Sequence, residues 1–407
     1  MSFLFSTNIC LNLLHINRKV MKNPFKNAGL LPLILIAILL GIVCSIFLPE
    51  WAVRIFVTFN SIFSNFLGMF IPLLIIGLVA PSIADLGKEA GRLLLITVAI
   101  AYLSTISAGF VSYFACRWTF PSLLGNDMGA LDAFDASADI APYFTIEMPA
   151  FINVTSALVL SFVLGLGCSF IKGNTLKSFL DDFRSIVMLT ISNVIIPCLP
   201  VFIFGIFLKM GAEGQVITVL GMFMKIILVI LVLHVSVLIA QFLIAGGICK
   251  KNPFKSLITM LPAYATALGT QSSAATIPVT MGCAKKLIDK EEVAEFTVPL
   301  CATIHMPCSI LKIVACSFAV AYSMGMPVDF GLYAGFILML AVTMVAAPGV
   351  PGGAIMAALA LISSMLGFDA NMQGVVIAIY IALDSFGTAG NVTGDGAVAM
   401  IVDRIRK

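Results

Sequence analysis

Charge is what this chain has least of. Asp, Glu, Lys and Arg make up 11% of its 407 residues against 60% hydrophobic residues, and the mean hydropathy is +1.11. A chain so poor in ionised groups is not a soluble two-domain protein, and the composition is that of an integral helical membrane protein. The net charge of +3 decides little, because in a membrane protein the position of each charge matters more than the sum. Nothing in the pattern points to nucleic acid. Metal-ligand spacing is missing too: the ten cysteines, Cys44, Cys168, Cys198, Cys301, Cys308 and Cys316 among them, lie mostly in apolar runs without CxxC or CxxxxH. They read as small packing residues, which excludes a metal cluster and a disulfide framework. The first 23 residues lack a long apolar core and a small-residue cleavage site, so they are not a secretory signal. Met21 makes a more ordinary start, and residues 1–20 are expected to be disordered or a start-site artefact.

What is present is a series of apolar runs. A span needs about 20 residues, and candidates cover 30–48, 55–83, 93–113, 150–171, 186–208 and 216–244. Basic residues mark the cytoplasmic ends: Arg18, Lys19, Lys22 and Lys26, then Lys88 and Arg92, Lys172 and Lys177, and Lys250, Lys251 and Lys255. The connection after the third span carries Asp127, Asp132, Asp135, Asp139 and Glu147 against Arg117, as an outer loop would. Arg54 and Lys209 are lone exceptions. The division expected is a cytoplasmic segment at 1–26, six spans in 27–251, and a C-terminal core in 252–407.

The second half departs from simple crossing. Between Lys255 and Lys285 an apolar segment is interrupted at 266–278, yet both flanks are basic and belong on one side. Such a segment is a re-entrant hairpin whose tip must be buried in protein or line a watery cavity, since unpaired backbone in lipid is costly. Residues 293–321 then cross outward. Residues 330–367 repeat the arrangement from the outside, interrupted at APGVPGG (347–353) and flanked by Asp329 and Asp369. Two hairpins of opposite sense form an inverted repeat, the plan of a secondary transporter with alternating access. Two kinked helices per hairpin are the alternative.

The last apolar run carries LDSFGTAGNVTGDGAV (383–398). At a helical period, Asp384, Thr388, Asn391 and Asp395 share one stripe, with small Gly387, Ala389, Gly390 and Gly394 between them. Small residues allow close approach inside a membrane, and ionisable ones at that depth mark a site for an ion or a polar solute. An aspartyl protease needs two carboxylates sharing a proton. Eleven helical residues separate Asp384 and Asp395 by about 16 Å, so they do not form that dyad.

Four motifs resemble the glutamate transporter family of dicarboxylate/amino acid:cation symporters: QSSAATIPVT (271–280), ATIHM (302–306) at the family's helix break, GVPG (349–352) and NVTGD (391–395). The resemblance implies an all-α membrane protein with eight transmembrane helices plus two opposed re-entrant helical hairpins. It further implies a homotrimer in the cell inner membrane, with both termini cytoplasmic and a transport domain that moves like an elevator. Carried over by position, Asp384 would hold a substrate amino group, and Asn391 and Ser273 its α-carboxylate. Thr388 and Ser309 would line the pocket, and Val350 and Ala354 would close it. Asp395 and Asn391 with carbonyls of Cys301 and His305 match one Na+ site, and carbonyls of Thr303, Met344, Val345 and Ala347 a second. Na+ is the coupling ion implied, with no bound cofactor and no enzymatic activity.

Three departures stand out. Acidic-substrate members place an Arg where this chain has Gly387, and some relatives put one where it has Gln271. Lys312 falls at a position the family does not assign to substrate, so the expected cargo is a neutral amino acid. At the break, HMPCS (305–309) replaces the family's Asn and Asp, which makes a third sodium doubtful even with Ser104 and Thr105 present. His305 opens H+ as an alternative coupling ion, beside a neutral histidine in a packed core. The third departure is Ala274, where the tip loses a serine. A solute channel and a substrate sensor are the competing functions, separable by whether saturable uptake depends on an ion gradient.

Overall fold

The computed structural model describes residues 30–88, 92–125, 140–212, 216–344, 347 and 352–406. Residues 1–26, Asp127, Asp132, Asp135, Asp139, Val345 and Val350 lie outside them.

The described chain is helical throughout, without strands. Seven helices come first: α1 (Leu30–Ser45), α2 (Glu50–Lys88), α3 (Arg92–Leu124), α4 (Val154–Phe170), α5 (Thr175–Thr190), α6 (Ile196–Ala212) and α7 (Val216–Cys249). A π-helical turn, Ile191–Ile195, joins α5 to α6. Among the described residues, α2, α3, the α5–α6 pair, α7 and the stretch Glu291–Ser323 are long and apolar enough to cross a membrane, and a bent pair near the C-terminus makes a sixth crossing. Shorter apolar helices at α1 and α4 bring the order to that of eight crossings and two hairpins. Large apolar side chains such as Leu39, Leu103, Trp118, Val163 and Leu228 stay exposed along α1, α3, α4 and α7, as a lipid-facing surface requires.

The first hairpin is α8 (Pro253–Thr270) and α9 (Ser273–Ala284). Asn252 caps α8, its side chain accepting from the Lys255 N–H at 3.0 Å, with Pro253 in the first turn, where no amide donor is needed. The turn is made by Gln271 in the left-handed region (φ 53°) and by Ser272, which caps α9 through the Ala275 N–H. The two ends of the hairpin lie on one side: Lys251, just before α8, donates to the Leu287 carbonyl just after α9 at 2.6 Å.

Next come α10 (Glu291–Ile304) and α11 (Pro307–Ser323), broken at His305 and Met306 and buried through most of their length. The second hairpin is α12 (Phe330–Met344) and α13 (Gly353–Leu366), ended by Gly367 in the left-handed region. Asp369 caps α14 (Ala370–Ala382) through the Met372 N–H at 2.9 Å, and α15 (Asp384–Ile405) follows after a 60° bend. That bend, which the apolar run did not announce, makes Asp384 the first residue of its helix.

Packing sorts the helices. α1, α2, α4, α5 and α6 lie against one another, while α3 and α7 pack with α8 to α11 and α15. α13 and α14 carry contacts between the two groups.

Candidate functional site

α15 organises the site. Asp384, Ser385, Thr388, Asn391 and Asp395 are all buried in the structure. The first-turn position of Asp384 also places its charge at the favourable end of the helix dipole. Both hairpin tips reach this turn. Gln271 donates through Nε2 to Ser385 Oγ at 2.9 Å, and the Gly352 N–H donates to Asp384 Oδ2 at 2.8 Å. Gly352 holds φ 73°, a conformation that glycine takes without strain. Two tips from opposed hairpins thus meet on consecutive residues.

The other Asp384 oxygen is also taken. Lys312 Nζ lies 3.1 Å from Oδ1, 3.4 Å from the Leu383 carbonyl and 3.7 Å above the centre of the Tyr380 ring. Its side chain is 0% exposed. A Cβ added to Gly387 would come within 2.5 Å of Nζ, so the glycine makes room for the ammonium. Neither Gly387 nor Gln271 supplies a cation, and it is Lys312, at a position the family does not assign to substrate, that stands against Asp384. The cation arrives from α11, a different helix from the one the family pattern uses, and a search along α15 alone misses it. Helix register was the available signal. α11 runs antiparallel to α15, and Cys308 and Ser309 meet Asn391; one turn on from Cys308 and one turn back from Asn391 sets Lys312 against Gly387.

Asn391 spans the break between α10 and α11. Its Oδ1 accepts from the Cys308 N–H at 2.8 Å, and its Nδ2 donates to Ser309 Oγ at 3.0 Å. The Cys308 amide is one of the first-turn donors of α11 that no helical carbonyl can satisfy, so Asn391 acts as its cap. Asn391→Ala is expected to destabilise the protein by about 1–3 kcal/mol by stranding that buried N–H. Equal thermal unfolding of the two proteins in detergent would show that the amide has another partner.

One end of the stripe has its own network. His305 Nδ1 lies 2.8 Å from Asp395 Oδ1 and Nε2 lies 2.9 Å from Ser104 Oγ, which accepts from Gln241 Nε2 at 3.0 Å. The Asp395 carboxylate can only accept, so His305 Nδ1 carries the proton that it donates to Asp395. Gly394 gives Gln241 and the imidazole room to approach α15. Thr105 helps fix the break by accepting from the Met306 N–H at 3.3 Å.

The expected residues therefore fall into groups. Asp384, Gly387, Asn391, Ser309 and Gln271 are linked by the contacts above, and Ser273, Thr388 and Ala354 are buried on α9, α15 and α13. Asp395, Cys301 and His305 come together through the histidine itself, whose backbone N–H bonds to the Cys301 carbonyl at 2.9 Å while its ring takes the carboxylate. Thr303 sits on the last turn of α10 with an exposed side chain. Met344 ends α12, and its carbonyl accepts from the Ala347 N–H at 3.1 Å. Among the described residues no cluster of three or more His, Cys, Asp or Glu suits a metal ion, and nine cysteines are free.

The excitatory amino acid transporter 3 of Bos taurus is 33% identical over 270 residues, covering 63% of this chain and 49% of that protein. The chain thus spans about half the length of that relative. The family model described as the sodium:dicarboxylate symporter family matches residues 30–405. That match takes in both hairpins, the broken helix and the polar stripe, and the chain belongs to this family of membrane symporters.

Proposed function

We propose that the chain is a secondary active transporter that couples a cation gradient to the movement of a small carboxylate-bearing solute. The observation that carries this reading is the meeting of two opposed hairpin tips at Asp384 and Ser385, because a pocket closed by one tip from each side can open to each side in turn. On this reading α8 to α15 with α3 and α7 move as an elevator along α1, α2 and α4 to α6. Three copies assemble in the cell inner membrane with both termini cytoplasmic, in line with the basic residues beside the spans.

Na+ is the first candidate for coupling, seated at Asp395 near the Cys301 carbonyl and Asn391; an oxygen set with one negative charge suits a hard cation. A second site would use the carbonyls of Thr303, Met344, Val345 and Ala347. H+ is the second reading, favoured by the His305 ring already resting on Asp395.

The cargo also has two readings. A carboxylate suits the buried hydroxyl donors of Thr388 and Ser273. A neutral amino acid is the class suggested by the missing Arg at Gly387 and Gln271. The bovine relative's name specifies an amino acid as the cargo of that protein.

The test is uptake into proteoliposomes, with imposed Na+ or pH gradients and a panel of small carboxylates and amino acids. Saturable uptake that collapses with one gradient identifies the symporter and its ion. Flux that neither saturates nor follows a gradient would make it a channel, and binding without flux a sensor.

A further inference from the structure

Taking the symport reading as its base, we propose that Lys312 is the specificity-determining residue of the pocket. Its ammonium fills the seat an α-amino group would take, so the preferred cargo is a carboxylate without an ammonium, such as an unsubstituted, 2-hydroxy or 2-oxo acid. Three observations converge. An ammonium has three N–H donors, and Lys312 Nζ has three partners: Asp384 Oδ1, the Leu383 carbonyl and the Tyr380 ring face. The second Asp384 oxygen is closed by the Gly352 N–H, so neither oxygen of that carboxylate is left without a donor. The space is filled as well, since even a methyl group on Gly387 would collide with Nζ. The other buried carboxylate of the stripe, Asp395, shares a hydrogen bond with His305. A cargo ammonium would therefore have to break a desolvated ion pair before making its own. A carboxylate meets no such barrier, because the Thr388 and Ser273 hydroxyls can donate to it and the charge of Asp384 is already answered by Lys312.

The experiment compares twins that differ only in the amino group, L-alanine with L-lactate and L-aspartate with L-malate. Binding to the full-length protein in nanodiscs is read by calorimetry at one pH and one salt. In every pair that binds, the amine-free twin is expected to bind at least tenfold more tightly. Lys312→Met, which frees Asp384, should narrow or reverse that ratio. Gly387→Ala should move it in the same direction by pushing the ammonium aside, which keeps the test alive if the first variant folds poorly. A twin carrying the amine that binds as well or better to the unmodified protein, a ratio indifferent to both variants, or binding of no twin at all would each overturn the assignment. Gradient-driven uptake of the amine-bearing twin would leave the symporter standing and remove only the role of Lys312. The expected binding ratio without any gradient-driven uptake would do the reverse.

Discussion

Lys312→Met is expected to destabilise the protein by about 3–5 kcal/mol, and most of that loss should return in the Lys312→Met/Asp384→Asn double variant. The reason is asymmetric. A buried ion pair contributes little net stability, because taking two charges out of water offsets their attraction, but removing one partner strands the other charge. The Lys312 side chain is 0% exposed and that of Asp384 is 7% exposed, so neither has water to fall back on. Asp384→Asn alone should also be destabilising, since it leaves the buried Lys312 ammonium without a countercharge. The cycle is measured by reversible unfolding in mixed micelles, and the coupling between the two changes is the quantity of interest. Independent, additive losses would mean that the two charges do not sense each other. The ion pair would then be absent from the protein in solution, and the specificity assigned to Lys312 would lose its physical ground.

The residues on α15 were legible in the sequence because helical periodicity needs only one element: Asp384, Thr388, Asn391 and Asp395 fall on a stripe whatever surrounds them. The first hairpin was legible from basic residues at both ends, which place both ends on one side, and the second from a length too great for one span between Asp329 and Asp369. What could not be read from one element was the pairing between elements. Lys312 belongs to the site through the antiparallel register of α11 on α15, and nothing in its own neighbourhood marks it apart from its cost in an apolar helix. The bend before Asp384 was hidden for a different reason. Residues 370–382 run apolar into Leu383 without a proline or a glycine at the joint, so the turn is imposed by packing rather than by local chemistry. His305 lies between these cases: its place at the helix break was readable, but its grip on Asp395 was not, because that contact joins the break at 305–306 to a helix ninety positions later.

That grip separates folding from coupling at Asp395. An asparagine keeps an oxygen to accept the His305 Nδ1–H, so Asp395→Asn should unfold within a few degrees of the unmodified protein. The same change removes the negative charge that the proposed Na+ or H+ coupling would use. Losing a charge-assisted contact in a water-poor site is worth about 3 kcal/mol, and every 1.4 kcal/mol is a factor of ten. Gradient-driven uptake should therefore fall about 100-fold while the fold persists. His305→Leu should give the opposite pattern in stability, because it leaves the Asp395 carboxylate and the Ser104 hydroxyl without their shared partner. Parallel melting curves and proteoliposome uptake distinguish the two variants. If Asp395→Asn carried cargo up a gradient as fast as the unmodified protein, the carboxylate would be a structural anchor for the histidine, and the coupling cation would have to be sought elsewhere.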